Sequence, residues 1–142
     1  MQSCDTNILL YAVDETCAEY SVASEYLKGM ISNDRFVISD LVLCELYVLL
    51  RNRHVVQSPL SAKGAAKICA HFRSNPRWQV LECSTGVMEE VWRDSQTLSR
   101  AVGIYDLRLG HTLRRHGVTE FATRNVRDFK NIGFKRLINP ID

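Results

Sequence analysis

RFVISDLVLCELYVLL, residues 35–50, passes from one structural period to another within a single segment. Phe36, Val37 and Ile38 form a short apolar run, as a strand covered on both faces requires. Ser39 or Asp40 then caps a helix that the spacing carries to about Asn52. Every residue from Leu41 to Leu50 is apolar or Tyr except Glu45. Its neighbours three and four positions away on a helix are Leu41, Val42, Val48 and Leu49. A charged carboxylate in such surroundings costs several kcal/mol unless it is paired or bound to a cation. The alternatives are a side chain reaching out to solvent, or an ion pair with Arg51 or Arg53.

The same strand-then-helix change recurs along the chain. A short strand is expected over 2–5, with helices over 7–13 and 16–31, the second marked by apolar residues at helical spacing from Ala18 to Met30. Ser61 is a plausible cap for a helix in SPLSAKGAAKICAHFRS. WQVLE reads as a strand, 86–101 as a helix, and a further helix runs from about Asp106 to a C-terminal cap at Gly117. TEFAT alternates as a strand, and FKRLIN supplies a last short one. Strands separated by helices imply a three-layer α/β/α sandwich around a central parallel sheet with right-handed crossovers. Chemistry in such sheets sits at the carboxyl ends of the strands.

The totals fit this reading. A chain of 142 residues, 46% hydrophobic and 24% charged, has the size and composition of one globular domain spanning 1–142. No apolar run approaches a membrane span, and no cleavable leader precedes Asp5, so a soluble cytoplasmic protein is expected. The five cysteines are scattered without a C-x-x-C pair and read as structural thiols, with Cys44 inside an apolar run as a small core residue. The four histidines lack metal-ligand spacing and read as surface or helix-terminal residues. Trp78 and Trp92 read as core or interface. Net charge is only +2, but residues 1–99 hold 9 basic and 12 acidic side chains, against 9 and 4 in residues 100–142. A basic C-terminal third suits a polyanion, although solvated faces give the same count.

Three further acid-bearing blocks accompany Glu45: DTNILLYAVD with Asp5, GIYDLRLGHTL with Asp106, and TRNVRDF with Asn125 and Asp128. Each alone has an ordinary explanation. Asp5 and Asp106 can cap helices, and Asn125 and Asp128 can make Asx turns. Together they place several oxygen ligands, without His or Cys, near one edge of the sheet. Such a set repels itself unless neutralised, and its donors select a hard cation such as Mg²⁺ or Mn²⁺. Thr6, Ser39 and Thr123 stand beside the acids and can hydrogen-bond the carboxylates, as can Asn125. No Gly-rich phosphate loop and no G-x-S-x-G motif occurs.

In order and spacing, DTNILLYA, ISDLVLCEL, YDLRLGHTLRRHGV and TRNVRDF resemble the PIN-domain ribonucleases, in particular the VapC-type toxins of toxin–antitoxin pairs. The resemblance covers nearly the whole chain. It implies a Mg²⁺- or Mn²⁺-dependent endoribonuclease, with Asp5, Glu45 and Asp106 as the central acids and Asp5 and Asp106 as metal ligands. The last block offers Asn125 or Asp128 as the fourth position, and Asp128 is favoured because it carries charge. A cognate antitoxin and a homodimer are also implied. The polar opening MQSC departs from the family's apolar first strand, and Leu107 replaces the small residue that often follows the third acid. Arg108, Arg124 and Arg127 are candidates to hold the RNA backbone.

Two other readings remain open on the residues alone. One is a phosphohydrolase with Asp5 as nucleophile, weakened because Asn7 stands where such enzymes carry a second Asp. The other is a non-catalytic module whose acid pocket takes an Arg from a partner.

Overall fold

The structure is a computed structural model that describes residues 1–142. It contains five short strands, β1 (Gln2–Cys4), β2 (Val37–Ser39), β3 (Gln79–Leu81), β4 (Glu120–Ala122) and β5 (Arg136–Ile138). The helices are α1 (Thr6–Val13), α2 (Tyr20–Met30), α3 (Asp40–Leu50), α4 (Ala62–Arg73), α5 (Val87–Ser95), α6 (Gly103–Arg115) and the single turn α7 (Val126–Phe129).

All strand pairings are parallel. β1, β4 and β5 form one ladder and β2 and β3 another, joined by a bridge between Gln2 and Phe36. The spatial order is therefore β3-β2-β1-β4-β5. The chain first winds outward from β1 through β2 to β3, then returns to the other side of β1 for β4 and β5. With right-handed crossovers this reversal puts α1–α4 on one face and α5–α7 on the other. It also opens a crevice at the carboxyl ends of β1 and β4, the topological switch point of an open α/β sheet.

One continuous core lies between the layers, with Phe36, Val37, Ile38 and Phe121 fully buried along the strands. Trp78 packs against Phe36 and Phe72 and donates its indole N–H to the Met30 carbonyl at 2.8 Å. Phe121 is flanked by Phe129 and Phe134. On α6, a side chain at Gly110 would collide with Ile132, so this glycine permits the helix to approach the segment after α7 closely. Gly117 ends α6 in the left-handed region, φ 83°, with its N–H on Arg114 O and the Val118 N–H on Leu113 O. That pair of bonds is a Schellman motif, satisfying carbonyls the helix end would leave unpaired.

Several expectations need correction. The second helix begins at Tyr20, not 16, because residues 14–19 turn around the Asp14 side chain, which accepts from Thr16. α5 stops at Ser95, and residues 96–102 form a loop. α6 begins at Gly103, so Asp106 lies in its first turn and is not its cap. Cys44 is exposed, because α3 buries Val42, Leu43, Leu46 and Leu50 and turns Cys44, Glu45 and Val48 outward. Of the core and interface alternatives for Trp92, the core is excluded, because its side chain is 57% exposed. No helix is long and apolar enough to cross a membrane.

Candidate active site

Asp5 follows β1 directly, in extended backbone at φ −77°, ψ 161°, and caps α1. Its carboxylate is buried and held by three hydrogen bonds. Thr6 N donates to Oδ1 at 2.8 Å, while Asn7 Nδ2 and Thr123 Oγ1 donate to Oδ2 at 2.9 and 2.7 Å. Thr123 follows β4, so the last bond ties the ends of the two strands at the switch point. The Asn125 N–H donates back to Thr123 Oγ1 at 3.0 Å. Burial pushes the Asp5 carboxyl up to about 6, with the Glu45 charge adding to it and the three hydrogen bonds opposing it.

Glu45 projects from α3 on its solvent-exposed side. Leu41 and Val48, two of the apolar neighbours read from the sequence, line the same cleft as Glu45 without burying it, and neither Arg51 nor Arg53 pairs with it. Its contact is instead with Thr6, whose Oγ1 donates to Glu45 Oε2 at 2.8 Å. Thr6 thus links two acids: its N–H holds Asp5 and its hydroxyl holds Glu45.

Asp106 on α6 is half-buried, and its carboxyl is pushed up to about 7. Burial is the main cause, followed by the negative charges of Asp5, Asp128 and Glu45, with Arg100 partly offsetting them. Asp106 therefore lies within electrostatic reach of the other three acids named from the sequence. Asp106 stands where two clefts meet. One, of about 490 Å³, also takes in Asp128, Arg100 and Arg127. The other, of about 580 Å³, takes in Glu45 and Arg108 between apolar side chains of α3 and α6. Arg108 Nε is buried there without a hydrogen-bond partner.

The other nominated residues divide. Ser39 is buried and caps α3 by accepting from Leu41 N at 3.2 Å, and makes no bond to a site acid. The Asn125 side chain is exposed, and only its backbone joins the network. Arg124 is held by Glu19 and Tyr11 at the junction of α1 and α2, while Arg127 lines the cleft with Asp128. Sequence reasoning missed the positive role of Asn7, which braces Asp5 and accepts from Arg124 N at 3.2 Å. It also placed His111 at the surface. His111 is buried, with Nε2 2.7 Å from Asp94 and Nδ1 3.3 Å from Glu90. The i, i+4 spacing of Glu90 and Asp94 on α5 was the available signal, because it sets both acids on one face.

No three His, Cys, Asp or Glu side chains converge as a ready-made metal-ligand set. The donors nevertheless fit a hard divalent cation. They are oxygens alone, and Asp5 and Asp106 are partly or wholly buried carboxyls that also feel one or more neighbouring acids.

The carboxylates gather at the switch point of a parallel sheet, the place where open α/β sheets bind their ligands. Residues 4–135 match the profile of the PIN domain, and the chain belongs to the PIN-domain family. It is 46% identical to ribonuclease VapC24 of Mycobacterium tuberculosis over 142 residues, covering 99% of this chain and 97% of that protein. Among solved structures, VapC20 of Mycobacterium tuberculosis, a Sarcin-Ricin loop cleaving toxin, superposes with a TM-score of 0.71 at 20% identity, over 94% of this chain and 96% of that one. VapBC2 from Rickettsia felis, bound to a DNA fragment from its promoter, gives 0.67 at 20% identity, with 97% of each chain covered.

Proposed function

We propose that the chain, acting as one nuclease domain, is a Mg²⁺- or Mn²⁺-dependent endoribonuclease and the toxin of a toxin–antitoxin pair. The observation that carries the reading is geometric: Asp5 sits at the switch point of the sheet tied to Thr123, Glu45 joins it through Thr6, and Asp106 shares one cleft with Asp128 and the other with Glu45. The 46% identity to a ribonuclease VapC supports RNA as the substrate. Asp5 and Asp106 would hold the cation, with Glu45 and Asp128 beside them. When bound, a divalent cation supplies a Lewis acid for a phosphate oxygen and a water of lowered pKa, so no side-chain nucleophile is required.

The protein's own part is positioning. Thr123, Asn7 and the Thr6 N–H fix both oxygens of Asp5, so that this carboxylate does not rotate away when its neighbours repel it. Thr6 fixes one oxygen of Glu45. Arg127 and Arg108 stand in the two clefts that flank Asp106 and bind RNA phosphates on either side of it.

The protein acts in the cytoplasm with a cognate antitoxin, a role supported by the likeness to VapBC2. Val48, Val102 and Tyr105 are 60%, 56% and 70% exposed beside the second cleft, and we assign this apolar strip to a homodimer contact. Purified, partner-free protein should cut single-stranded RNA with Mg²⁺ or Mn²⁺ and stop in excess EDTA. Cleavage untouched by EDTA or by Asp106→Asn overturns the reading, and absence of cleavage with either metal favours a binding module.

A further inference from the structure

The cleft on the Asp128 side of Asp106 has two unlike ends. Asp106 and Asp128 make one end acidic, and Arg93, Arg100 and Arg127 surround the rest. A third acid, Asp94, also lines it, but its charge is already answered. Arg93 Nε lies 3.0 Å from Asp94 Oδ1, and His111 Nε2 lies 2.7 Å from Asp94 Oδ2. Arg93 is occupied by the same pair. Arg100 and Arg127, by contrast, make no ion pair and are exposed.

These two arginines come from different elements, the loop before α6 and the turn α7, and line one cavity. Leu98, Leu107 and Ile132 supply apolar surface to the same cavity, and Asn131 an amide. About 490 Å³ is ample for one nucleotide. Apolar surface suits the face of a base, an amide suits its edge, and free guanidiniums suit a phosphate, which they bind through paired N–H donors.

We propose that Arg100 and Arg127 grip the phosphate next to the one that is cut, and that this cleft is the subsite for a single RNA nucleotide on that side. The inference rests on the ribonuclease reading and adds Arg100, which the sequence did not single out. Arg100 is a substrate-binding residue here, placed so that a gripped phosphate brings its neighbour to Asp106 and Asp128.

The test is a titration of a short single-stranded RNA oligonucleotide in Ca²⁺ at several salt concentrations. It uses the full-length protein with Arg100→Ala, Arg127→Ala, Arg100→Lys and, as a charge control at the opposite end of the sheet, Arg35→Ala. Arg100→Ala and Arg127→Ala should each weaken binding about tenfold. Each should also reduce the slope of log affinity against log salt by about 1. Arg100→Lys should keep the slope but recover only part of the affinity, because an ammonium lacks the paired donors. Arg35→Ala should change neither. With Mg²⁺ or Mn²⁺ present, Arg100→Ala should raise KM about tenfold while kcat stays within about threefold. Wild-type cleavage together with an unchanged slope and KM in Arg100→Ala overturns the subsite and leaves the ribonuclease reading standing. Failure of the wild type to cleave overturns the ribonuclease reading, and the binding titration then still decides whether Arg100 and Arg127 hold RNA. Absence of any salt-dependent RNA binding overturns the subsite.

Discussion

Thr123 Oγ1 donates to Asp5 Oδ2 at 2.7 Å across the ends of two neighbouring parallel strands, although the residues lie 118 positions apart in sequence. Both side chains are buried, so the bond is shielded from water, and it fixes the acid that repulsion from Glu45 would otherwise displace. Thr123→Val keeps the shape and removes the donor. It should cost roughly 1–3 kcal/mol of stability, and cleavage should fall at least tenfold. Thr123→Ser should restore most of both. Denaturant midpoints and initial cleavage rates check this, and a Thr123→Val protein with normal activity removes Thr123 from the site.

Metal-free protein should become less stable as pH rises. In the folded state Asp5 and Asp106 hold their protons up to about 6 and about 7, whereas an unfolded Asp releases its proton near about 4. Between those limits the folded state binds more protons than the unfolded one. These two groups therefore contribute most below about pH 4, and that contribution is lost as pH rises through about 7. Asp106→Asn should raise the thermal midpoint in EDTA near about pH 8 and make little difference near about pH 4. Added Mg²⁺ should raise the wild-type midpoint more than that of the variant. A wild-type midpoint in EDTA that does not fall across this range contradicts the prediction.

Asp128 should matter more than Asn125. Asp128 shares a cleft with Asp106 and adds to the charge acting on it, while the Asn125 side chain is exposed and only its N–H joins the network. Asp128→Asn should weaken the Mg²⁺ dependence of cleavage about tenfold or more, because charge dominates a hard-cation site. Asn125→Ala should stay within about threefold, since its backbone contact survives. A dead Asn125→Ala beside a normal Asp128→Asn reverses the assignment.

Much of this arrangement was legible because strand and helix alternate cleanly and some helix ends are written in one residue. Ser39 and Ser61 cap α3 and α4, and Gly117 closes α6. What was not legible depends on which side of an element faces what. Glu45 is the one charge in LVLCELYVLL, and the stretch alone does not say whether it faces solvent or a pocket, so the burial of Leu43 and Leu46 and the exposure of Cys44 and Val48 could not be told apart. The Asp5–Thr123 bond depends on β4 lying beside β1, and strand order is a property of the whole sheet. Arg100 was hidden for a related reason: residues 96–101 were read as helix, whereas they form the loop that lines the cleft.

Arg124 and Arg127 should separate, although both were nominated for RNA. Arg124 is bound to Glu19 and to the Tyr11 hydroxyl, and its guanidinium lies over the Tyr11 ring. Its charge is spent between α1 and α2, and a gripped phosphate would have to compete with Glu19. Arg124→Ala should therefore leave the salt slope of RNA binding nearly unchanged, whereas Arg127→Ala lowers it by about 1. Equal losses in the two variants would show that Arg124 leaves Glu19 for RNA.

His111 ties α5 to the helix that carries Asp106. Both of its ring nitrogens face carboxylates, Glu90 at 3.3 Å and Asp94 at 2.7 Å. Of the two, the Nε2–Asp94 contact is a hydrogen bond, and Nδ1 only stands within ion-pair distance of Glu90. Arg115, which also reaches Glu90 at 3.3 Å, and Arg93, on Asp94, share the same acids and limit what the loss of His111 exposes. Because both carboxylates are about one-third exposed, His111→Leu should cost only about 1–2 kcal/mol. The larger effect should fall on RNA binding. Asp94, with His111 gone, keeps only Arg93 and becomes a less neutralised acid in the cleft that holds Arg100 and Arg127. RNA affinity in Ca²⁺ should drop about three- to tenfold, and Asp94→Asn in the same background should recover it. A double variant no better than His111→Leu alone would show that the histidine acts through packing and not through the charge of Asp94.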